Sequence, residues 1–177
     1  MKPTHAGKNK LAREYVEARL RARGFDLGSL GPHRRGLFAW KDGRTIRIRC
    51  KGSFHESVPF TGQRFLLEAD AKDDFVAIAR CPGEGQPITG APVYLVPAKW
   101  LAQRIEERHQ AYLRRHPNID AETKARTFFW KGQQDCPRHG LAELLEAYRD
   151  AWHLLDAPTP APAQPGQDRR LDLERVS

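Results

Sequence analysis

Cysteine is scarce in this sequence, and its spacing shows no pairs. The chain of 177 residues contains three cysteines, Cys50, Cys81 and Cys136. An odd number without a recurring short spacing argues against a disulfide framework and is typical of a reducing compartment. Structural zinc sites usually combine two close pairs of ligands. Cys136 and His139 supply one such pair, so we expect no zinc site.

Long apolar runs are also missing. Hydrophobic residues make up 40% of the chain, and no run of them approaches the roughly 20 residues that a membrane-spanning helix needs. The first ten residues are basic, but no apolar signal core follows them. We therefore expect a cytoplasmic protein without a membrane span or a secretion signal.

Acidic residues are outnumbered by basic ones. The sequence has 22 Asp and Glu against 30 Lys and Arg, a net charge of +8. Such a surplus favours a polyanionic partner, above all nucleic acid, because basic side chains neutralise phosphates and release counterions. The alternative interpretation is a solvated surface on an arginine-rich chain.

The clearest pattern that is present is a β-hairpin. Leu37 to Trp40 is apolar and has the composition of a strand, and Asp42-Gly43 favours a two-residue turn because Gly tolerates positive φ. Thr45 to Cys50 then alternates, with isoleucines on one face and arginines on the other. The second strand ends at Lys51.

The rest of the chain predicts helices and strands around this hairpin. Helices are predicted over residues 10–23, 98–115 and 141–155, the first capped by Gly24, and strands over 64–69, 75–80, 93–96 and 127–130. Residues 28–34 and 52–63 are predicted loops. This order predicts an α/β sandwich with a mixed central sheet flanked by helices.

The composition also predicts domain boundaries. We assign residues 1–9 to a flexible N-terminus and 10–156 to one α/β domain. Residues 157–177 begin with a run rich in proline that cannot form a core, so we assign them to a disordered tail.

Several short segments resemble the PD-(D/E)xK nuclease fold of restriction endonucleases and archaeal-type Holliday junction resolvases. In small bacterial members, a helix ending in Gly precedes an "Asp-Leu-Ile-Ala … Ile-x-Val-Lys" hairpin, an "Asp-Phe-Val-Val-Phe" strand and a "Tyr-Val-Val-Pro" strand. The corresponding segments here are Arg23 to Phe25, Gly36 to Trp40, Ile48 to Lys51, Asp74 to Ile78 and Tyr94 to Pro97. The resemblance implies a restriction-endonuclease-like α/β sandwich.

The resemblance also implies a catalytic site for which this sequence lacks the acids. The family uses a strand Asp and an acid or Gln two residues before the Lys to hold Mg²⁺, and the Lys stabilises charge at phosphorus. Lys51 matches that Lys, and Glu14 or Glu17 matches an assisting helix acid. The strand Asp falls at Gly36 and the second acid at Arg49, whose guanidinium cannot bind Mg²⁺. Lys51 and Glu14 would then be remnants of a lost catalytic site, and we predict neither a metal nor a cofactor.

The same surface is suited to binding, because arginine matches phosphate with its forked donors. We predict a catalytically inactive protein that binds nucleic acid, specifically DNA, through a basic cleft. Its predicted residues are His33, Arg34, Arg35, Arg47, Arg49, Lys51, Lys8 and Lys10, which Arg13 and Arg64 would extend. The alternative is a solvated strand face whose basic residues pair with Glu14 and Glu17.

Two other functions stay open at this point. Glu56, Glu68 and Asp70 are the acids that a loop would have to bring to Lys51 in an active Mg²⁺-dependent endonuclease. Alternatively, the fold serves as a protein-interaction subunit, for example in phage or mobile-element conflict. Such a subunit would dock through the last predicted helix or the C-terminal tail.

Overall fold

The computed structural model describes residues 5–29, 36–53, 57–60, 73–81, 88–118, 126–129 and 144–156. Its helices are α1 (His5–Arg21), α2 (Ala98–Arg115) and α3 (His153–Asp156), with a 3₁₀ turn at Glu146–Tyr148. Its strands are β1 (Asp26–Ser29), β2 (Leu37–Lys41), β3 (Arg44–Ser53), β4 (Ser57–Phe60), β5 (Asp74–Arg80), β6 (Val93–Pro97) and β7 (Arg126–Phe129). None of the helices in these ranges is long and apolar enough to cross a membrane.

Five strands form a mixed sheet in the order β1-β2-β3-β5-β6. The first three make an antiparallel meander, β3 and β5 are parallel, and β6 is antiparallel to β5. Strands β4 and β7 pair separately as an antiparallel ribbon. The predicted α/β fold with a mixed sheet and flanking helices is confirmed.

The predicted hairpin turn is confirmed in detail. Strands β2 and β3 are joined by Asp42 and Gly43, with φ angles of 51° and 78°. Positive φ at both central residues is the condition of a type I′ turn, whose twist matches that of the flanking strands.

Helices cover the sheet from both sides, so that it separates two cores. On the α1 side, apolar residues of α1 pack on β2, β3, β5 and β6, and the buried residues include Ala12, Val16, Leu20, Leu37, Ile46, Ile48, Ala77 and Leu95. On the α2 side, α2 packs on β5 and β6 through Val76, Ile78, Val96, Leu101 and Ile105. Strand β5 is therefore buried on both faces, as its continuous apolar run predicts.

Several boundaries differ from the predictions. Helix α1 begins at His5, five residues before the predicted start at Lys10, and ends at Arg21, after which Gly24 takes a positive φ of 78°. Strand β1 includes Gly28 and Ser29, which we predicted as loop, because they pair with Phe38 and Leu37. Strand β4 also falls in a predicted loop. The predicted strand over 64–69 lies outside the described residues.

The predicted helix over 141–155 is wrong within the described residues. A helical turn at 144–145 passes into the 3₁₀ turn, and Asp150 adopts a positive φ of 47°. The Asp150 N–H donates to the Val93 carbonyl at 2.8 Å, and its carboxylate accepts from the Val93 N–H at 3.2 Å. These bonds occupy the open edge of β6, which a continuous helix could not do.

The apolar residues that recur at helical spacing in this segment are divided between two short parts of the chain, one before and one after Asp150. Leu145 is buried in the α2-side core, whereas Trp152 and Leu155 are buried in the α1-side core. The chain therefore passes around the edge of β6 between the two faces of the sheet. Arg44 holds the second part by donating to the Leu155 carbonyl at 2.8 Å, and Lys41 pairs with Asp156 at 3.3 Å.

Candidate functional site

Strand β3 places three of the predicted basic residues on one face. Arg47, Arg49 and Lys51 alternate with residues that are buried against α1, so their side chains lie on the α2 side of the sheet. All three are partly exposed. The structure thus confirms the predicted sharing of a face by Arg47 and Arg49, and it separates that face from α1.

Arg47 is bound by a neighbouring strand. In the parallel pairing of β3 and β5 it lies opposite Asp74, and its Nε donates to Asp74 Oδ1 at 2.6 Å while Nη2 bonds Oδ2. The Asp74 side chain is 4% exposed and that of Arg47 is 26% exposed. This bidentate pair gives Arg47 a structural contact that the sequence did not reveal.

The two arginine–aspartate contacts lie at the beginning of β5. Beside Arg47 and Asp74, Arg44 donates to Asp73 Oδ1 from both Nε and Nη2, at 3.0 and 2.6 Å. Both aspartates are therefore held near the start of β3. Toward their carboxyl ends, β3 and β5 carry the basic residues Lys51 and Arg80.

The carboxyl ends of β3 and β5 bring basic residues to one edge of the sheet. Lys51 lies opposite Ile78, and Ser53 lies opposite Arg80 two positions further on. The pairing continues past the strands, because the Cys81 N–H donates to the Ser53 carbonyl at 2.8 Å. Lys51 and Arg80 are thus on the same face and at the same end of adjacent strands. We call Arg49, Lys51 and Arg80 the basic edge.

Asn9 of α1 reaches this edge from the other side of the sheet. Pairing between β2 and β3 extends only to Leu37 and Ile48, so Gly52 lies beyond the end of β2. Its N–H donates instead to Asn9 Oδ1 at 3.1 Å. The bond anchors the first turns of α1 at the carboxyl end of β3.

Asn9 was missed by the sequence interpretation, although a signal for it exists. It precedes Ala12 and Val16 by three and seven residues, so it continues the buried stripe of α1 as a polar residue facing the sheet. A polar group at such a position needs a hydrogen-bond partner. Which backbone group provides it was decided by the packing of α1 on β3.

The predicted residues of α1 are distributed unevenly. Lys10 follows Asn9 directly and lies 3.8 Å from Glu14, and both side chains are largely exposed. The backbone of Lys8 lies in α1, but its side chain is outside the described residues. Lys10 therefore follows Asn9 on the α1 side of the sheet, the face opposite to that of Lys51.

The helix acids are not brought to Lys51. Glu14 is on the exposed side of α1, away from the buried stripe, and Glu17 pairs with Arg13 at 2.7 Å and Arg21 at 3.4 Å. Helix α1 covers the face of the sheet opposite to that of Lys51. The ion pairs described for these two acids are made within α1, not with the arginines of β3.

Gly36 and Arg49, at the positions that correspond to the two metal-binding acids of PD-(D/E)xK nucleases, lie across from each other. Continuing the pairing of Leu37 with Ile48 by one residue sets Gly36 opposite Arg49. The hydrogen of Gly36 provides no ligand, and Arg49 provides a positive charge. Within the described ranges, no group of three His, Cys, Asp or Glu side chains is placed to hold a metal ion.

Several predicted residues fall outside the described part of the chain. They are His33, Arg34, Arg35 and Arg64 of the predicted cleft, Glu56, Glu68 and Asp70 of the alternative nuclease, and Cys136 and His139. Their roles stay predictions.

Burial decides the chemistry of the thiol next to Lys51. Cys50 lies on the α1 face and is 4% exposed. Burial raises the pKa of its thiol from an ordinary value of 9.0 to about 12, with Arg13 acting to lower it and Glu17 to raise it. A thiol that stays neutral in this way is a core group and not a nucleophile.

Comparison with known proteins gives one structural likeness. No protein-family model matches the chain, and no curated protein matches it. Among solved structures, it is similar to a bacterial homing endonuclease, I-Ssp6803I, with a TM-score of 0.48 and 14% identity, over 87% of this chain and 92% of that one. At this TM-score the likeness concerns the overall backbone path alone.

Proposed function

We propose that this protein binds DNA at the basic edge and does not cleave it. The observation that carries the proposal is the placement of Arg49, Lys51 and Arg80 on one face of two adjacent parallel strands, with Lys51 and Arg80 near the carboxyl ends. Charges gathered in this way from two strands form a common surface for phosphate groups. Arginine adds directional donors to the point charge of lysine.

The surroundings of the basic edge support the same ligand. Asn9 of α1 accepts a hydrogen bond from the Gly52 N–H at this end of β3, and Lys10 adds a positive charge on the opposite side of the sheet. The net charge of +8 adds a long-range attraction to a polyanion.

The same residues argue against hydrolysis. A phosphodiesterase site of this kind needs oxygen ligands to hold Mg²⁺ beside the lysine. Gly36 and Arg49 occupy the two strand positions concerned, and a guanidinium next to Lys51 would repel the cation. Lys51 is therefore suited to holding a phosphate.

Binding is tested with fluorescent duplex DNA and a four-way junction at low salt. We expect the double variant Arg49→Ala/Lys51→Ala to weaken binding about tenfold or more, because two phosphate contacts are lost. The matched control is Arg114→Ala/Arg115→Ala at the exposed end of α2, which removes the same charge elsewhere. Absence of binding by the wild type, or equal weakening in both variants, would contradict the proposal.

Cleavage is tested on the same substrates with Mg²⁺ or Mn²⁺. We expect intact DNA after prolonged incubation. Metal-dependent cleavage that disappears in Lys51→Ala would show that acids outside the described residues complete an active site. A protein complex that survives Arg49→Ala/Lys51→Ala, in the absence of DNA binding, would favour an interaction subunit instead.

A further inference from the structure

The ring of Trp40 lies over Gly28, on the same side of the sheet as the basic edge. Trp40 lies opposite Thr45 and two residues from Phe38, which lies opposite Arg47. Side chains at these paired and alternating positions share one face. The ring of Trp40 therefore lies on the face of Arg47, Arg49 and Lys51, toward the turn end of the hairpin.

Gly28 makes room for this ring. A Cβ at Gly28 would lie 2.9 Å from Cζ3 of Trp40, closer than real Cβ contacts allow, and 3.0 Å from Cη2. The indole thus sits directly over the backbone of β1, where any other residue would push it away. Trp40 is nevertheless 41% exposed, so it is supported from below by the sheet and open to solvent.

We propose that Trp40 stacks on an unpaired base, so that the ligand of this face is single-stranded nucleic acid or a single-stranded segment beside a duplex. The proposal rests on the DNA binding proposed above and names the form of the ligand. An exposed aromatic ring on the same sheet face as basic side chains is a combination by which proteins bind single strands, with the ring under a base and the basic side chains along the backbone. A double helix does not offer an unstacked base to such a ring.

The dimensions of the face fit a short single strand. From Thr45, opposite Trp40, to Lys51 the strand advances six residues, or about 20 Å at ~3.3 Å per residue. That length corresponds to about six stacked nucleotides at ~3.4 Å each. Phe38 and Thr45 lie beside Trp40 on this path, and Asp26, opposite Trp40 on β1, places its negative charge at the outer edge of the sheet.

The alternative ligand of the Trp40 surface is another protein, including a second copy of this chain. The positive charge of Arg49 and Lys51 on the same face favours the polyanion. A self-association surface would instead bring these like charges of two copies toward each other. Oligonucleotide binding and the oligomeric state of Trp40 variants distinguish nucleic-acid binding from self-association.

The test compares a fluorescent 12-nucleotide single strand with a 12-base-pair duplex on the full chain. We expect Trp40→Ala to weaken single-strand binding about tenfold and to change duplex binding less than twofold. Trp40→Phe should retain most of the single-strand affinity because it keeps a ring. The matched control is Tyr112→Ala, since Tyr112 is also 41% exposed but lies on α2.

A second readout uses the fluorescence of the protein. Stacking on a base should quench part of the tryptophan emission, and this quenching should disappear in Trp40→Phe although the strand still binds. Thermal unfolding of each variant establishes that it is folded at the assay temperature.

The outcomes distinguish this inference from the proposed function. If both ligands bind through Arg49 and Lys51 but Trp40→Ala leaves single-strand binding unchanged, the stacking is refuted and DNA binding stands. If Trp40→Ala weakens the binding of duplex and of single strand equally, the ring does not stack on an unpaired base. A wild-type dimer that Trp40→Ala dissociates, with nucleic-acid affinity unchanged, would assign the surface to self-association. If no oligonucleotide binds at low salt, both proposals fail.

Discussion

At the scale of single residues, Arg47 makes a contact with Asp74 that the sequence does not reveal. Arg47 and Arg49 lie on one face of β3, and we predicted both to contact phosphate. Asp74 binds Arg47 through two hydrogen bonds and is itself almost fully buried. Any phosphate contact by Arg47 would have to compete with a carboxylate already in place.

The first prediction concerns this pair. We expect Arg47→Ala to lower the free energy of unfolding by about 2 kcal/mol, because it leaves a buried carboxylate without its partner. Urea denaturation measures the loss, and Thr45→Ala, at an exposed position of the same strand, should cost much less. In a double-mutant cycle with Asp74→Ala, the double variant should lose less than the sum of the two single losses. Strictly additive losses would contradict the pairing.

The second prediction concerns Cys50. Because burial raises its pKa to about 12, the native thiol should react with iodoacetamide at pH 8 about three powers of ten more slowly than in denaturant. Mass mapping of the labelled peptide separates Cys50 from the other two cysteines. Rapid labelling of Cys50 in the native protein would show that the thiol is ionised or accessible.

The raised pKa also has a consequence for stability. Between pH 9 and pH 12 the unfolded thiol has lost its proton while the native thiol retains it. The native state then binds more protons, so stability falls as the pH rises, by at most about 1.4 kcal/mol per pH unit from this group. The difference in stability between wild type and Cys50→Ala should narrow over this range, and a constant difference would contradict the shift.

At the scale of elements, the hairpin β2–β3 is specified locally. Its turn uses Asp42 and Gly43 at positive φ, and the alternation of β3 decides which side chains meet α1. A slip of one residue would place arginines in the α1-side core and isoleucines on the basic face. The turn therefore controls the position of Arg49 and Lys51 as well as the packing of the sheet.

The third prediction tests this turn. We expect Gly43→Ala to lower the free energy of unfolding by about 1–2 kcal/mol, because an L-residue is strained at a φ of 78°. Nothing lies within 4 Å of a Cβ at this position, so the cost is conformational and not steric. Asp42→Gly serves as the control, since it relieves the positive φ of Asp42 and should be nearly neutral. Equal losses in both variants would point to a different turn.

The segment after residue 144 shows how an element can be mispredicted from a correct pattern. Apolar residues do recur at helical spacing there, but the two faces of the sheet bury different members of the series. The open edge of β6 offered hydrogen bonds to Asp150, and Arg44 bound the carbonyls that follow. The predicted docking helix is therefore interrupted.

At the scale of the whole molecule, charge is divided along the parallel pair β3 and β5. Asp73 and Asp74 meet arginines at one end, and the basic edge lies at the other. Because Arg49, Lys51 and Arg80 share one face of the sheet, we expect positive potential around them.

The fourth prediction follows from this division. If Arg49 and Lys51 contact phosphates, Arg49→Ala/Lys51→Ala should reduce the slope of log Kd against log salt concentration by about two. Arg114→Ala/Arg115→Ala lowers the formal net charge equally, from +8 to +6, and should leave the slope nearly unchanged. Titrations of the same duplex at several salt concentrations measure both slopes. Equal changes would show that net charge, and not the basic edge, drives binding.

Much of the fold was readable from the sequence because its signals are local. The hairpin turn needs only Asp42 and Gly43, the alternation of β3 needs only its own residues, and α2 was predicted with its observed bounds. The continuous apolar run from Phe75 likewise predicted a strand buried on both sides. These features depend on backbone preference and hydrophobic period, which neighbouring residues determine.

The candidate site was predictable in its residue types but not in its pairings. The alternation of β3 was enough to predict that Arg49 and Lys51 share a strand face, and residue types alone showed that the side chains of Gly36 and Arg49 provide no metal ligand. Three contacts became visible only in the folded chain: Asp74 binds Arg47, Asn9 accepts a hydrogen bond from the Gly52 N–H, and Trp40 lies over Gly28. Each of these contacts joins separate elements of the fold. Such contacts arise from strand register and helix packing, which the local pattern does not encode.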